Sequence, residues 1–123
     1  MEPTFSFVIP VFNRPNEIEE LLRSMQQLDF DRSFEVVIVE DGSTLSSEKV
    51  VAAFPDLDIT YFKKENSGPG DSRNFGMNKA KGNYFLILDS DVLLPSNYLK
   101  EVSYTHLRAH ETGRNLVCRL LLE

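Results

Sequence analysis

Three short apolar runs constrain this chain more than any other feature: Phe5 to Val11, Val36 to Val39 within Phe34 to Asp41, and Tyr84 to Leu88. Each is too short for a buried helix and is rich in β-branched or aromatic residues. Runs of this kind, bounded by turn residues, fit strands covered on both faces, the usual state of a parallel sheet. The last two stop in acid, at Glu40-Asp41 before Gly42-Ser43 and at Asp89-Ser90-Asp91. Open α/β sheets bind ligands at the carboxyl ends of their strands, so Asp41 and Asp89 would face one crevice.

The intervening segments read as helices. Pro10 marks the end of the first strand rather than its middle. Pro15 opens a helix, and Ile18, Leu21, Leu22, Met25 and Leu28 form one apolar stripe along it. Leu45 to Phe54 reads as a second helix stopped by Pro55, and Ile59 to Phe62 as a short third strand. Asp71 or Ser72 caps a third helix running to about Ala80, with Gly82 as its C-terminal glycine. Strands alternating with helices predict an α/β fold: a doubly wound, mostly parallel sheet with right-handed crossovers.

Composition narrows the function classes. With 41% hydrophobic and 26% charged residues, the chain is an ordinary soluble protein. A net charge of -6 argues against a nucleic-acid surface, which needs a basic face. No segment has the length of a transmembrane helix, and Met1-Glu2-Pro3-Thr4 lacks the basic flank and apolar core of a signal peptide. A single cysteine forms no internal disulfide. A cytoplasmic setting is expected, with the cytoplasmic face of the membrane as its outer limit.

The closing triplet carries the sharpest chemical signal. Residues i and i+2 of a continuing strand face the same way, so Asp89 and Asp91 would sit together, and like charges need a neutralising partner. A divalent cation takes hard carboxylate oxygens and keeps positions open for phosphate. The alternative is a plain turn, since Asp and Ser are common turn residues. The loop from Asn66 to Gly76 adds two glycines beside a helix start, where backbone N–H groups approach an anion, and Arg73 with its planar fork. Arg73 could equally pair with Asp71 or Asp89. The dinucleotide fingerprint Gly-x-Gly-x-x-Gly is absent after the first strand, and so is a Walker loop.

Four ordered segments together resemble the amino-terminal half of a family-two glycosyltransferase. They are Phe7-Val8-Ile9-Pro10-Val11-Phe12-Asn13, Val39-Glu40-Asp41-Gly42-Ser43-Thr44, Asn66-Ser67-Gly68 with Ser72-Arg73-Asn74-Phe75-Gly76, and Leu88-Asp89-Ser90-Asp91. The resemblance covers residues 1–102 as a domain part. It implies a GT-A fold, a nucleotide-sugar donor, a divalent metal (Mg²⁺ or Mn²⁺), a saccharide or lipid-linked acceptor, and inversion at the anomeric carbon. Carried over by position, it assigns Asp41 to the nucleobase and Pro10 and Phe12 to the base pocket, with core packing the alternative for the last two. Arg73 falls to the pyrophosphate, Asp89 to the ribose or metal, and Asp91 to the metal. The family's general base lies downstream of the metal motif. Glu101, Glu111 and Glu123 are the carboxylates after Asp91. None has that context, so the base is expected beyond the chain end and the chain alone to be inactive.

Residues 103–123 depart from the family pattern and are expected to be a sequencing or assembly artefact. They hold His106 and His110, spaced i, i+4 beside Glu111, and the single Cys118, an apolar-context thiol. The zincin order His-Glu-x-x-His is not present. Two other function classes stay open: a phosphoacceptor receiver domain, whose acidic pair should follow the first strand, and a nucleotide-binding module without turnover.

Overall fold

The computed structural model describes residues 4–30 and 33–102. Residues 103–123, with His106, His110, Glu111 and Cys118, lie outside the described residues. The elements follow in the order β1 (Phe5–Val11), α1 (Pro15–Gln26), β2 (Phe34–Asp41), α2 (Glu48–Ala52), β3 (Ile59–Lys64), α3 (Pro69–Lys79) and β4 (Tyr84–Ile87). All strand pairs are parallel and the sheet order is β3-β2-β1-β4. The order reverses at β1, between its neighbours β2 and β4, which is the switch point where such sheets bind ligands.

Alternation along β1 sorts the two layers. Phe5, Phe7, Ile9 and Val11 join Val36 and Ile38 of β2, Leu86 and Leu88, and the stripe Ile18, Leu21, Leu22 and Met25 of α1 in one buried core. Leu94, Tyr98, Leu99 and Val102 close that core, the last three in a helical turn over 98–102. Val8 and Val39 face the other side, against α3. The contact is close because Gly76 has no side chain: a β-carbon there would lie 2.5 Å from Val8 Cγ1 and 3.2 Å from Val39 Cγ2. Helices thus cover both faces, as a doubly wound sheet requires.

Pro10 lies within a strand flanked on both sides, yet it breaks no ladder. Val8 accepts the Leu88 N–H on the β4 side, and Pro10, two residues on, turns its backbone to that same side after β4 has ended at Ile87. Its missing N–H has no partner to lose.

Several boundaries differ from the expected ones; α2 also ends at Ala52, two residues before Phe54, and β4 at Ile87, one before Leu88. The second helix begins at Glu48 instead of Leu45, because the preceding backbone is held elsewhere: Thr44 and Leu45 N–H by Asn13, and Ser47 N–H by Glu40. The third helix begins at Pro69, not at an Asp71 or Ser72 cap. Gly68 at φ 98° turns the chain, and Pro69 is preset for the first helical position. That helix ends at Lys79 with Ala80 as its C-cap, and Gly82 serves a different purpose, since a β-carbon on it would strike Ser6 Oγ at 2.5 Å. The Gly82 N–H donates to that oxygen, while Ser6 Oγ–H donates to the buried Glu35 at 2.6 Å. The third strand runs two residues past Phe62, adding Lys63 and Lys64 opposite Glu40 and Asp41.

Candidate functional site

A cleft of about 270 Å³ opens at the carboxyl ends of β1 and β2, lined by Pro10, Val11, Phe12, Asp41, Asn66, Gly68 and Pro69. Its volume is close to the lower bound of small-molecule sites, about 300 Å³. Three of the expected residues, Pro10, Phe12 and Asp41, therefore meet in one place. Phe12 is half exposed although it is a large apolar side chain, so core packing does not account for it.

Asp41 is buried at the end of β2 and is held by donors from another part of the chain. The Ser67 N–H donates to Oδ1 at 2.8 Å and the Gly68 N–H to Oδ2 at 3.0 Å. Lys64 Nζ donates to Oδ1 at 3.0 Å. Asn66 Nδ2 donates to the Asp41 backbone carbonyl, also at 3.0 Å. Burial by itself would raise the carboxyl pKa. The Ser67 N–H, the Lys64 ammonium and the Gly68 N–H outweigh it and hold the group below its ordinary value. Asp41 is therefore an acceptor and not a donor at neutral pH. Gly42, at φ 72°, makes this approach feasible, since a β-carbon there would lie 2.7 Å from the Asn66 backbone nitrogen.

The Phe12 loop is fixed from the opposite direction. Asn13 adopts φ 54°, a left-handed conformation that Asn tolerates. Its Oδ1 accepts the N–H groups of Thr44 and Leu45 at 2.8 and 2.9 Å, and its own N–H donates to Ser43 Oγ at 2.8 Å. Ser43 Oγ–H in turn donates to Glu40, whose fully buried carboxylate also takes the Tyr61 hydroxyl and the Ser47 N–H. The loops after β1 and β2 behave as one piece.

Arg73, Asp89 and Asp91 do not line the cleft. Arg73 sits in α3, within 3.8 Å of where a Gly70 β-carbon would be, and is paired with neither Asp71 nor Asp89. Asp71 instead accepts from Ser67 Oγ at 2.6 Å. Asp89 follows β4 on the face that carries Val8, Pro10 and Asp41, and extending the β1–β4 register brings it level with Pro10. With β1 between β4 and β2, two strand spacings of about 4.8 Å set the Asp89 and Asp41 backbones roughly 10 Å or more apart. Asp89 and Asp91 are both exposed, at a turn over residues 90–91.

Among the described residues no three His, Cys, Asp or Glu side chains converge on a metal position. The triplet supplies at most two carboxylates. That donor set still fits Mg²⁺ or Mn²⁺, because such ions are commonly bound by one or two carboxylates together with substrate phosphates and water.

The sequence pattern of glycosyl transferase family 2 matches residues 6–116. The chain belongs to glycosyltransferase family 2. Its sheet and helices have the GT-A arrangement, and the strand order separates it from the receiver alternative, in which β1 would lie between β2 and β3. An uncharacterised family relative, a glycosyltransferase of Rickettsia bellii, is 40% identical over 96 residues, or 77% of this chain and 14% of the relative. The poly(ribitol-phosphate) beta-N-acetylglucosaminyltransferase TarS of Staphylococcus aureus is 33% identical over 103 residues, 80% of this chain and 18% of TarS. The crystal structure of TarS 1–349 in complex with UDP superposes with a TM-score of 0.79 at 32% identity, over 87% of this chain and 33% of that one. The mannosyltransferase PcManGT from Pyrobaculum calidifontis, in complex with GDP-Man and Mn²⁺, superposes with a TM-score of 0.70 at 30% identity, over 77% and 29% of the two chains. This chain thus spans less than a fifth of the length of these curated relatives.

Lys64 was not foreseen as part of the site, and Asn13, Glu40, Ser43 and Ser67 stood in the quoted motifs without an assigned role. A lysine at the end of a strand reads as a solvated charge. Only the β2–β3 register, which sets Lys64 beside Asp41, reveals it.

Proposed function

We propose that residues 4–102 form the donor-binding part of an inverting, metal-dependent glycosyltransferase. It moves a sugar from a UDP-linked donor to a hydroxyl of a saccharide or lipid-linked acceptor. The observation that carries this reading is the buried, ionised Asp41 in a cleft sized for a nucleobase, with the half-exposed Phe12 beside it. The UDP complex of TarS and the GDP-Man complex of PcManGT, on similar folds, support a nucleotide-sugar donor.

In this mechanism Asp41 accepts the uracil N3–H, Phe12 stacks on the base, and Pro10 closes the pocket wall. Arg73 reaches toward the pyrophosphate, using its planar fork. Asp89 meets the ribose or the metal, and Asp91 holds the metal. A divalent ion bound there supplies positive charge where the leaving nucleoside diphosphate gains negative charge. Inversion also requires a base for the acceptor proton. That role is assigned to none of the described residues.

Titration calorimetry of UDP in Mg²⁺ or Mn²⁺, and again with chelator, tests the reading. Binding is expected with the ion and lost without it. Equal heats in both would remove Asp89 and Asp91 from the metal, and unchanged binding by Asp41→Ala would remove Asp41 from the base.

A further inference from the structure

We propose that Lys64 is a specificity-determining residue that makes the base pocket reject a 2-amino purine by occupying the acceptor position such a base would need. The proposal rests on the reading of Asp41 as the base acceptor.

An ionised carboxylate offers about four lone-pair positions, two on each oxygen. In this structure Oδ1 of Asp41 is filled twice, by the Ser67 N–H at 2.8 Å and Lys64 Nζ at 3.0 Å. Oδ2 is filled once, by the Gly68 N–H at 3.0 Å. One position remains, on Oδ2. Uracil brings one N–H on its pairing edge, between two carbonyls, and that single donor matches the single vacancy. Guanine brings two adjacent donors, N1–H and the 2-amino group, which suit both oxygens of one carboxylate. With Oδ1 already filled, its amino group would be desolvated without a partner, a cost that decides specificity in buried polar sites.

Lys64 is well placed to keep that position closed. Its ammonium has three N–H donors. They go to Asp41 Oδ1, to the Glu65 carbonyl at 2.9 Å and to Ser67 Oγ. All three are spent, and its side chain is only 15% exposed, so it does not swing away without losing every bond. Ser67 and Gly68, by contrast, donate through backbone N–H groups at the start of α3 and not through a side chain. Among the three groups that fill Asp41, Lys64 alone donates from a side chain.

The test uses the full chain with Mn²⁺ and three nucleotides: UDP, GDP and inosine diphosphate, which is GDP without the 2-amino group. The wild-type chain should bind inosine diphosphate at least about tenfold more tightly than GDP, or about 1.4 kcal/mol. Lys64→Met should reduce that ratio to near unity, with UDP affinity read beside it to separate any general weakening of the pocket, and Lys64→Arg should keep the ratio. Equal wild-type affinities for GDP and inosine diphosphate overturn the proposal without need of any variant, as does an unchanged ratio in folded Lys64→Met. If UDP binding is intact and Asp41-dependent in those cases, the donor-site reading survives. If no nucleotide binds, both fall.

Discussion

The Tyr61 hydroxyl donates to Oε1 of the buried Glu40 at 2.8 Å, tying the edge strand β3 to β2 on the face opposite Asp41. Burial pushes the Tyr61 pKa up to about 12; the Ser46 hydroxyl opposes it, and the Glu40 carboxylate adds to it. The fold therefore favours the neutral phenol. A raised folded pKa contributes stability that is complete below the unfolded value near 10 and is lost as pH rises toward 12. Denaturant melts should show stability declining across that alkaline window. Tyr61→Phe should flatten the decline and cost about 1.5–3 kcal/mol at neutral pH, the range for a hydrogen bond to a charged group. An identical alkaline slope in the variant would assign it to other groups.

Asp41 gives the opposite sign at the acid end. Its folded pKa is lowered, so its contribution is present above the unfolded value, near 3.9, and disappears as pH falls through the folded one. Asp41→Asn should lose about 1.5–3 kcal/mol at neutral pH and show a shallower acid limb. UDP binding should vanish in the same variant. Urea melts from neutral pH down to about pH 3, run beside calorimetry, separate the two effects.

Asp91→Ala should abolish metal-dependent nucleotide binding with little change in melting temperature, because the side chain is exposed and its loss opens no cavity. Asp89→Ala should weaken binding less. Loss of fold in Asp91→Ala, with affinity preserved in the folded fraction, would make the carboxylate structural.

Gly76→Ala should be destabilising even though alanine is the better helix former by about 1 kcal/mol. Its methyl would lie 2.5 Å from Val8 Cγ1, and overpacking of this kind costs about 1–3 kcal/mol. Val8→Ala in the same chain should recover part of the loss. A double-mutant cycle measures it, and strict additivity would deny the contact.

Much of the architecture was legible in the sequence. Val36 to Val39 and Tyr84 to Leu88 announce buried parallel strands by length and branching alone, and the stripe Ile18, Leu21, Leu22 and Met25 fixes α1. Pro10, Phe12 and Asp41 were also legible as one cluster, but through the family resemblance, which assigns all three to the base pocket. What escaped is non-local. The start of α2 yields to Asn13 and Glu40, each bonded across the fold. Ser6, Glu35 and Gly82 look unrelated until β1 is flanked by both β2 and β4. Lys64 acquires its meaning only from the register that sets it beside Asp41.

Ser67 and Gly68 carry loop amides, yet a carboxylate rooted in an interior strand holds both of them. Slow exchange with solvent usually belongs to helices and strands. These two hydrogens are released only when the start of α3 parts from β2, so their protection reports the opening of a core element. Under the proposed reading of Asp41 as the base acceptor, base recognition and the seating of α3 form a single cooperative unit. On that reading, whatever loosens the helix also loosens the base acceptor, and a nucleotide resting on Asp41 would steady the helix whose first residue, Pro69, lines the same cleft.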